Sequence, residues 1–265
     1  MSDKALVQVK NLSSGYGKKQ ILSDVNFDVN ANEIVGLLGV NGCGKTTLIK
    51  TMCKIIPGNG EMLLNGEDAS LWSSRKFSKN CSLVPQKSGI TIDISVLDVV
   101  LMGFNPFISL LGRPTKKMVA EAEKLLGLFG IEDRKYDSFL TLSEGQKQLV
   151  IIARALVADT NIVFMDEPES SLDFSVRYDM MNILRRQIVG KDKCALISLH
   201  DVNLALNLCD RLLLIKDGKV SSTIDVRSED KGSIEQKLQK IYGSVRLMLV
   251  TDEANKESLI MVKAN

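Results

Sequence analysis

The chain has 265 residues, 45% of them hydrophobic and 25% charged, which is the composition of a folded globular protein and excludes a disordered one. Its 34 Lys and Arg residues nearly balance its 32 Asp and Glu residues, so the net charge of +2 provides no overall field that would attract nucleic acid. The five cysteines lie far apart without a C-x-x-C pair, which favours reduced thiols in the core over disulfides or a zinc site.

The apolar runs of the chain are short. The amino terminus has no positively charged segment followed by an apolar stretch, so we expect no secretory signal. The longest runs, 34–40 and 149–153, are far shorter than the roughly 20 residues that a membrane-spanning helix needs. We therefore expect any role at a membrane to come through a partner chain.

Hydrophobic periodicity predicts the secondary structure in chain order. Strands are predicted at 6–9, 25–29, 34–39, 61–64, 82–84, 162–165, 195–199 and 212–215. Helices are predicted at 46–56, 96–103, 115–129, 144–158, 175–189 and 201–208. The stretch before residue 86 and the stretch after about residue 161 alternate strand and helix, which predicts a sheet with parallel strands under helices. Residues 95–158 show helical spacing only.

This pattern predicts one domain over residues 1–265 with an insertion. We expect an α/β core at 1–86 and 160–220, with a helical subdomain inserted at 87–159. A short C-terminal extension, 221–265, follows the core. Its predicted elements are a helix at 234–241 and strands at 245–250 and 259–262.

The first motif follows the strand at 34–39. The segment Gly39-Val40-Asn41-Gly42-Cys43-Gly44-Lys45-Thr46 fits G-x-x-x-x-G-K-[ST], in which backbone N–H groups and a helix N-terminus converge on phosphates. The alternative is a chance Gly-rich turn, but a strand enters the motif and a helix leaves it. We expect ATP to bind here, with Lys45 on the phosphates and Thr46 on Mg²⁺. The predicted nucleotide-binding residues of the loop are Gly39, Asn41, Gly42, Cys43, Gly44, Lys45, Thr46 and Thr47.

A second motif ends the strand at 162–165. Four apolar residues are followed by Asp166 and Glu167, so a buried strand delivers two carboxylates at its end. Taken alone, the pair could be a solvated turn. With the phosphate loop upstream, we expect Asp166 to hold Mg²⁺ and Glu167 to accept a proton from the attacking water.

A third motif, Leu142-Ser143-Glu144-Gly145-Gln146, opens the helix predicted at 144–158 and resembles LSGGQ, the signature of ATP-binding-cassette (ABC) ATPases. In that family the signature of one subunit closes over the ATP bound to the phosphate loop of the other. The resemblance therefore implies a homodimer in which Ser143, Gly145 and Gln146 contact nucleotide. It also implies the family fold, α/β with a P-loop NTPase core, an antiparallel β subdomain and an inserted α-helical subdomain.

Four further segments resemble landmarks of the family. Tyr16 resembles the aromatic residue that stacks on adenine, although a surface Tyr in a Gly-flanked turn is the alternative. Gln86 resembles the Q-loop glutamine, which reaches Mg²⁺ and water. Asp173, in Ser171-Leu172-Asp173, resembles the D-loop at the dimer interface. His200 is the only histidine and resembles the switch histidine on the γ-phosphate, although a lone His is more often structural.

Three positions depart from the family pattern. Glu144 replaces the first signature Gly, and Val40 and Glu169 stand where Pro and Thr are more usual. Because Ser143 and Gly145 keep the hydroxyl and the close backbone approach, we expect the anion site to survive. A carboxylate at Glu144 would weaken dimer closure unless it points to solvent.

The segments 95–106, 198–205 and 241–243 resemble the branch that imports metal chelates such as ferric siderophores, haem and cobalamin. That resemblance implies an importer whose partners are integral-membrane permease subunits and an external substrate-binding protein, with this chain on the cytoplasmic face of the cell membrane. The chief alternative is an ABC ATPase that acts on DNA or the ribosome. Lys45 and Ser143 are only 98 residues apart, without the long coiled coil of repair-type members. A small-molecule kinase would leave the signature unexplained.

An importer ATPase must present a surface to which the permease binds. We expect the groove for a permease helix to lie along 86–92 and 104–111. The apolar side chains predicted to be exposed there are Ile90, Ile92, Phe104, Phe107, Ile108 and Leu110. Those expected to fill the core of the helical subdomain are Val96, Val99 and Val100.

Overall fold

The protein combines a six-stranded sheet, a four-stranded sheet and a hairpin with eight α-helices, in a computed structural model that describes residues 5–109, 111–251, 253, 255 and 257–264. The strands are β1 (Ala5–Tyr16), β2 (Lys19–Asn30), β3 (Glu33–Leu38), β4 (Gly58–Leu64), β5 (Glu67–Asp68), β6 (Cys81–Val84), β7 (Ile162–Asp166), β8 (Cys194–Ser198), β9 (Arg211–Lys216), β10 (Lys219–Asp225), β11 (Val245–Thr251) and β12 (Glu257–Lys263). The helices are α1 (Lys45–Met52), α2 (Ser74–Asn80), α3 (Val96–Leu101), α4 (Lys116–Leu128), α5 (Glu144–Val157), α6 (Phe174–Ile188), α7 (Val202–Leu208) and α8 (Lys231–Tyr242).

The six-stranded sheet has the order β10-β9-β3-β8-β7-β6. The five strands from β9 to β6 run parallel, and β10 pairs antiparallel with β9. Every residue of β7 and β8 is buried, as expected for parallel strands covered on both faces. The other large sheet, β2-β1-β4-β5, is antiparallel. The predicted fold class, including its antiparallel subdomain, is therefore confirmed.

The six-stranded sheet separates two apolar cores. Alternate residues of β3 point to opposite faces, so that Ile34 and Leu38 join one core while Val35 and Leu37 join the other. The first core continues into α3, α4, α5, α6 and α7. The second core lies under α1 and the antiparallel sheet. This arrangement brings the carboxyl ends of β3, β7 and β8 to one edge of the sheet.

The inserted stretch is helical, as predicted. Between β6 and β7 the described residues form α3, α4, α5 and short 3₁₀ turns, with a single β-bridge between Ser95 and Ser138. Val96, Val99 and Val100 are fully buried and fill its core, which confirms their predicted role. Phe104 is also buried in that core, so its predicted exposure was wrong. Leu110 lies outside the described residues.

Several boundaries differ from the prediction. The helix predicted at 46–56 ends at Met52, because Lys54 takes a left-handed conformation with φ of 57° that no helix can continue through. The helix α2 was not predicted, since none of its residues is buried and its sequence has no apolar periodicity. The short strand β5 and the antiparallel strand β10 were also missed.

The C-terminal elements were predicted, with shorter bounds. The hairpin of β11 and β12 packs on α7, where Asn203 Oδ1 accepts a hydrogen bond from Met261 N at 2.7 Å and Asn207 Nδ2 donates to Leu259 O at 2.9 Å. Among the described helices, none is long and apolar enough to cross a membrane.

Candidate functional site

The phosphate loop joins β3 to α1. Gly44 is the N-cap of α1 and has a φ of 115°, and a Cβ there would lie 2.8 Å from Leu22 Cδ2, so only glycine suits this position. Because Gly44 has no side chain to cap the helix, the first N–H groups of α1 remain available to an anion. Lys45 is buried and its ammonium donates to Gly39 O at 2.8 Å, which holds the charge across the loop.

The loop residues differ in exposure. Asn41 and Gly42 are exposed, whereas Cys43 and Thr47 are buried. The structure therefore presents the turn of the loop to solvent and keeps the start of the helix inside. The five cysteines are free thiols, and four of them are buried, as expected for core residues, while Cys53 is half-buried. Burial raises the pKa of Cys81 and Cys194.

Asp166 lies at the end of β7, beside the phosphate loop. Thr46 Oγ1 donates to Asp166 Oδ1 at 3.0 Å, and Ser198 Oγ donates to the same oxygen at 2.7 Å. Burial raises the pKa of Asp166, and the hydrogen bonds from Ser198 and Thr46 oppose that shift. Two of the three residues predicted to hold Mg²⁺, Thr46 and Asp166, are thus in direct contact although 120 positions separate them in the sequence.

This donor set fits Mg²⁺. A hydroxyl and a carboxylate are hard oxygen donors, and Mg²⁺ completes its shell with water and phosphate oxygens rather than with a cage of side chains. Within the described residues, no group of three His, Cys, Asp or Glu side chains could hold a metal ion. A cavity of about 230 Å³ next to Asp166 is lined by Gln86, Lys50 and Pro85. The side chain of Gln86 therefore lines the same cavity as Asp166.

Glu167 stands between two other predicted site residues. Gln86 Nε2 donates to Glu167 Oε2 at 2.5 Å, and His200 Nε2 lies 2.6 Å from Glu167 Oε1. The Glu167 main chain has a left-handed φ of 52°, and its N–H donates to Ser198 Oγ at 2.9 Å. Residues that the sequence separates by up to 114 positions therefore converge on one carboxylate at the edge of the sheet.

The signature residues form a separate feature. Ser143 is the N-cap of α5, with Gln146 N donating to Ser143 Oγ at 3.3 Å and Ser143 N donating to Gln146 Oε1 at 3.1 Å. A Cβ on Gly145 would lie 3.0 Å from Ser171 O, so the signature helix begins beside the D-loop. Within the described residues, no hydrogen bond links Ser143, Gly145 or Gln146 to the phosphate loop.

Glu144 lies in the first turn of α5, and its side chain is exposed and paired with a lysine. It is 78% exposed, and its Oε1 accepts from Lys147 Nζ at 2.8 Å. The Lys147 ammonium and solvent therefore offset part of the repulsion between this carboxylate and an anion at the helix N-terminus.

The last two predicted contacts are exposed. Tyr16 lies at the tip of the β1–β2 hairpin, 48% exposed, where its ring is free to stack. Asp173 is the N-cap of α6, and its side chain makes no capping hydrogen bond. Neither residue contacts the Glu167 cluster through a hydrogen bond in the part of the chain that the structure describes.

Two site residues were missed in the sequence. Ser198 bridges Asp166 and the Glu167 main chain, and Glu169 Oε1 accepts from His200 N at 2.8 Å. The signal for Ser198 was a polar residue at the end of a wholly apolar strand. Its partner became clear only from the pairing of Asp166 with Ser198 across β7 and β8.

Comparisons with known proteins place this site in a family. The family model for ABC transporters matches residues 22–170. The manganese transport system ATP-binding protein MntB of Bacillus subtilis is 35% identical over 254 residues, covering 95% of this chain and 97% of the relative. The hemin import ATP-binding protein HmuV of Vibrio parahaemolyticus is 32% identical over 216 residues, covering 80% of this chain and 82% of the relative.

Solved structures show the same fold. A chain of a metal-chelate type ABC transporter in an inward-facing conformation has a TM-score of 0.81 at 23% identity, covering 99% of this chain and 98% of that one. A dimeric ATP-binding cassette in a post-hydrolysis state with ADP and Pi has a TM-score of 0.74 at 24% identity, covering 84% and 100%. Because the family model spans more than half of the 265 residues and the MntB relative nearly all of them, this chain belongs to the ABC transporter family, as an ATP-binding cassette whose activity is ATP hydrolysis.

Proposed function

We propose that this chain is the ATPase subunit of an importer for metal ions or metal chelates, and that two copies act head to tail around ATP and Mg²⁺. The observation that carries the proposal is the Glu167 carboxylate, held between Gln86 and His200 one residue after Asp166. A base, a metal-binding acid and two polar sensors at one sheet edge are the parts that phosphoryl transfer to water requires.

The phosphate groups bind at the start of α1. Its free N–H groups and the Lys45 ammonium supply positive charge to the β- and γ-phosphates. Thr46 and Asp166 would hold Mg²⁺, which neutralises charge on the phosphate oxygens. Lys45 exchanges its bond to Gly39 O for phosphate oxygens as ATP enters.

Glu167 acts as the general base. In this structure both of its oxygens are engaged, one by Gln86 and one by His200. Each of these contacts occupies an acceptor site of the carboxylate, so the same two residues that sense nucleotide also lie where they limit the access of water to the base. His200 moves from the carboxylate to the γ-phosphate, and Glu167 is left to accept a proton from water.

The second copy supplies the signature. Ser143 and the N-terminus of α5 form an anion site. Among the described residues, no hydrogen bond links this site to the phosphate loop of the same chain. A head-to-tail dimer places this site over the phosphate loop of the partner. The dimeric cassette that shares the fold supports such an assembly.

The permease would bind beside the insertion. Arg75 of α2 donates to Pro106 O at 3.2 Å and Ile108 O at 3.3 Å, and a cavity of about 480 Å³ lies there. Phe107 and Leu111 belong to the same loop as Pro106 and Ile108 and are exposed by 41% and 96%. Since Gln86 lies at the start of the same connection, a helix bound here is mechanically linked to the base.

The relatives favour import over the DNA or ribosome alternative. MntB is named for manganese transport, HmuV for hemin import, and YclP of Bacillus subtilis, 30% identical over 216 residues, for petrobactin import. These names support a metal-containing cargo for this chain, delivered by an external substrate-binding protein, and a position on the cytoplasmic face of the membrane.

Affinity purification of the tagged chain from membranes tests the importer assignment. We expect an integral-membrane permease to co-purify, and Phe107→Asp to abolish its recovery without lowering the ATPase rate of the isolated chain. Val189→Asp, a matched control at another 41% exposed apolar residue, should leave recovery unchanged. Recovery of DNA or ribosomes in place of a membrane protein would overturn the assignment.

A further inference from the structure

Glu169 is the least exposed acidic residue among those described, at 2%. Its Oε1 accepts a hydrogen bond from the main-chain N–H of His200 at 2.8 Å. Its Oε2 is buried and has no hydrogen-bond partner among the described residues. One oxygen of the carboxylate is therefore unsatisfied, and the only other described residue that donates a hydrogen bond to the carboxylate is the switch histidine, through its main chain.

Such burial is unfavourable for the fold. An unpaired carboxylate oxygen away from water is costly, and burial raises the pKa of Glu169 while the His200 amide opposes that shift. A neutral side chain of similar size would avoid the cost. Buried acids with a raised pKa are found more often at functional sites than elsewhere.

The connections of Glu169 explain what the contact can do. Its turn carries Glu167 at one end and leads to the D-loop at the other, since Ser170 N donates to Glu167 O at 3.2 Å and Leu172 N donates to Glu169 O at 3.1 Å. On the other side, Leu199 N donates to Leu37 O at 3.1 Å, which fixes the last residue before His200 to the sheet. The Glu169 side chain therefore joins the segment that carries the base to the segment that carries the histidine.

We propose that Glu169 is a positioning residue for ATP hydrolysis, whose carboxylate holds the His200 main chain so that the imidazole is aligned with Glu167 and the γ-phosphate. A displacement of the D-loop turn on dimer closure passes through Glu169 to His200. This inference rests on the proposed function and assigns a role to the position at which the sequence departs from the usual Thr.

The single histidine makes the contact directly measurable. In the full-length chain labelled with ¹⁵N-histidine, one amide signal reports on His200. Glu169→Leu removes the acceptor at similar volume, and we expect an upfield shift of the His200 amide proton. Glu169→Gln keeps an acceptor oxygen and should retain most of the downfield position.

A matched control separates this effect from general loss of a carboxylate. Glu235 Oε2 accepts from Leu247 N at 2.6 Å, so it makes the same type of bond outside the catalytic edge. Glu235→Leu should leave the His200 signal in place. An unchanged signal in Glu169→Leu, or an equal shift in the control, would overturn the contact.

Kinetics test the role itself. We expect Glu169→Leu to lower kcat about tenfold or more, as for loss of a charge-assisted hydrogen bond, with ATP affinity unchanged within about twofold. Glu169→Gln should recover most of kcat, because its amide oxygen accepts the same N–H. If Glu169→Leu does not fold, Glu169→Thr supplies the same test, with a shorter side chain that lacks the reach.

Two results separate this inference from the proposed function. Parent chain without ATPase activity would refute the proposed function, while the amide experiment would still decide the contact. Active parent chain with undiminished kcat in Glu169→Leu, or with kcat and affinity lost in parallel, would refute the positioning role alone.

Discussion

The catalytic edge, formed by Asp166, Glu167 and Glu169, and the start of the signature helix at Ser143 satisfy their polar groups in opposite ways. The catalytic edge buries three carboxylates, holds Glu167 at a left-handed φ of 52°, and leaves Glu169 Oε2 without a partner. The signature start is exposed, and its capping box satisfies its own backbone. The catalytic edge therefore lowers the free energy of unfolding, whereas the capping box of the signature start raises it.

This difference indicates where each region finds its function. The catalytic edge is assembled inside one chain and needs only nucleotide, water and metal to become active. The signature start is capped by its own residues, and in the proposed function the ligand of its helix N-terminus is the ATP on the phosphate loop of a second copy.

Removing the base from the catalytic edge should have the largest effect. Glu167→Gln keeps the shape of the side chain but cannot accept a proton, so turnover should fall about 10²- to 10⁴-fold. ATP should still bind, and size-exclusion chromatography with ATP should show an accumulated dimer. A variant that hydrolyses ATP at the parent rate would remove Glu167 from the mechanism.

Loss of the phosphate-loop charge should come next. Lys45→Ala should weaken ATP binding by roughly 10- to 100-fold, since a buried ammonium makes charge-assisted bonds to phosphate. Titration with a fluorescent ATP analogue measures the affinity, and Lys124→Ala serves as a surface control. Binding as tight as in the parent chain would contradict the assignment of the loop.

Truncation of the signature cap should affect stability rather than intrinsic nucleotide affinity. Ser143→Ala removes the acceptor of the Gln146 N–H and should cost about 1 kcal/mol of unfolding free energy. Ser143→Asp preserves a capping oxygen and should restore that stability. Urea unfolding of the monomer distinguishes them, and equal stability of the two variants would contradict the cap.

Neutralising Asp166 should change the free energy of unfolding by a similar amount but should raise it. Because burial raises the pKa of Asp166, its protonated form stabilises the fold below the ordinary pKa of 3.8, and that contribution is lost as pH rises through the folded-state pKa. At pH 7 in EDTA, the free energy of unfolding of Asp166→Asn should therefore be about 1 kcal/mol higher than that of the parent chain. The gain should vanish in acid. Destabilisation at pH 7 would show that the carboxylate is favourable in the fold.

The comparison also marks what the sequence could predict. The phosphate loop, Asp166-Glu167 and the signature are contiguous motifs whose residues carry their own backbone requirements, such as Gly44 at a φ of 115°. The sequence therefore predicted which strand end or helix start each of these segments occupies. The contacts of Ser198 and Glu169 depend on how β7 and β8 pair and turn, which no local pattern encodes.

The errors have similar causes. Lys54 ends α1 in a left-handed conformation that is uncommon for lysine, so residues 53–56 looked helical. Phe104 was predicted to be exposed together with the apolar residues near it in the sequence. Its ring is instead buried in the core of the insertion. Both outcomes were decided by tertiary packing.

The central claim is that the signature of one chain completes the nucleotide site of another, and a mixing experiment tests it most directly. In a Glu167→Gln background, chains with Lys45→Ala have an intact signature, and chains with Ser143→Asp have an intact phosphate loop and a capped helix with an added negative charge. Neither alone should dimerise with ATP. Mixed in equal amounts, they should form dimers that retain one ATP per pair of chains. A mixture that stays monomeric, or either variant dimerising alone, would contradict the account.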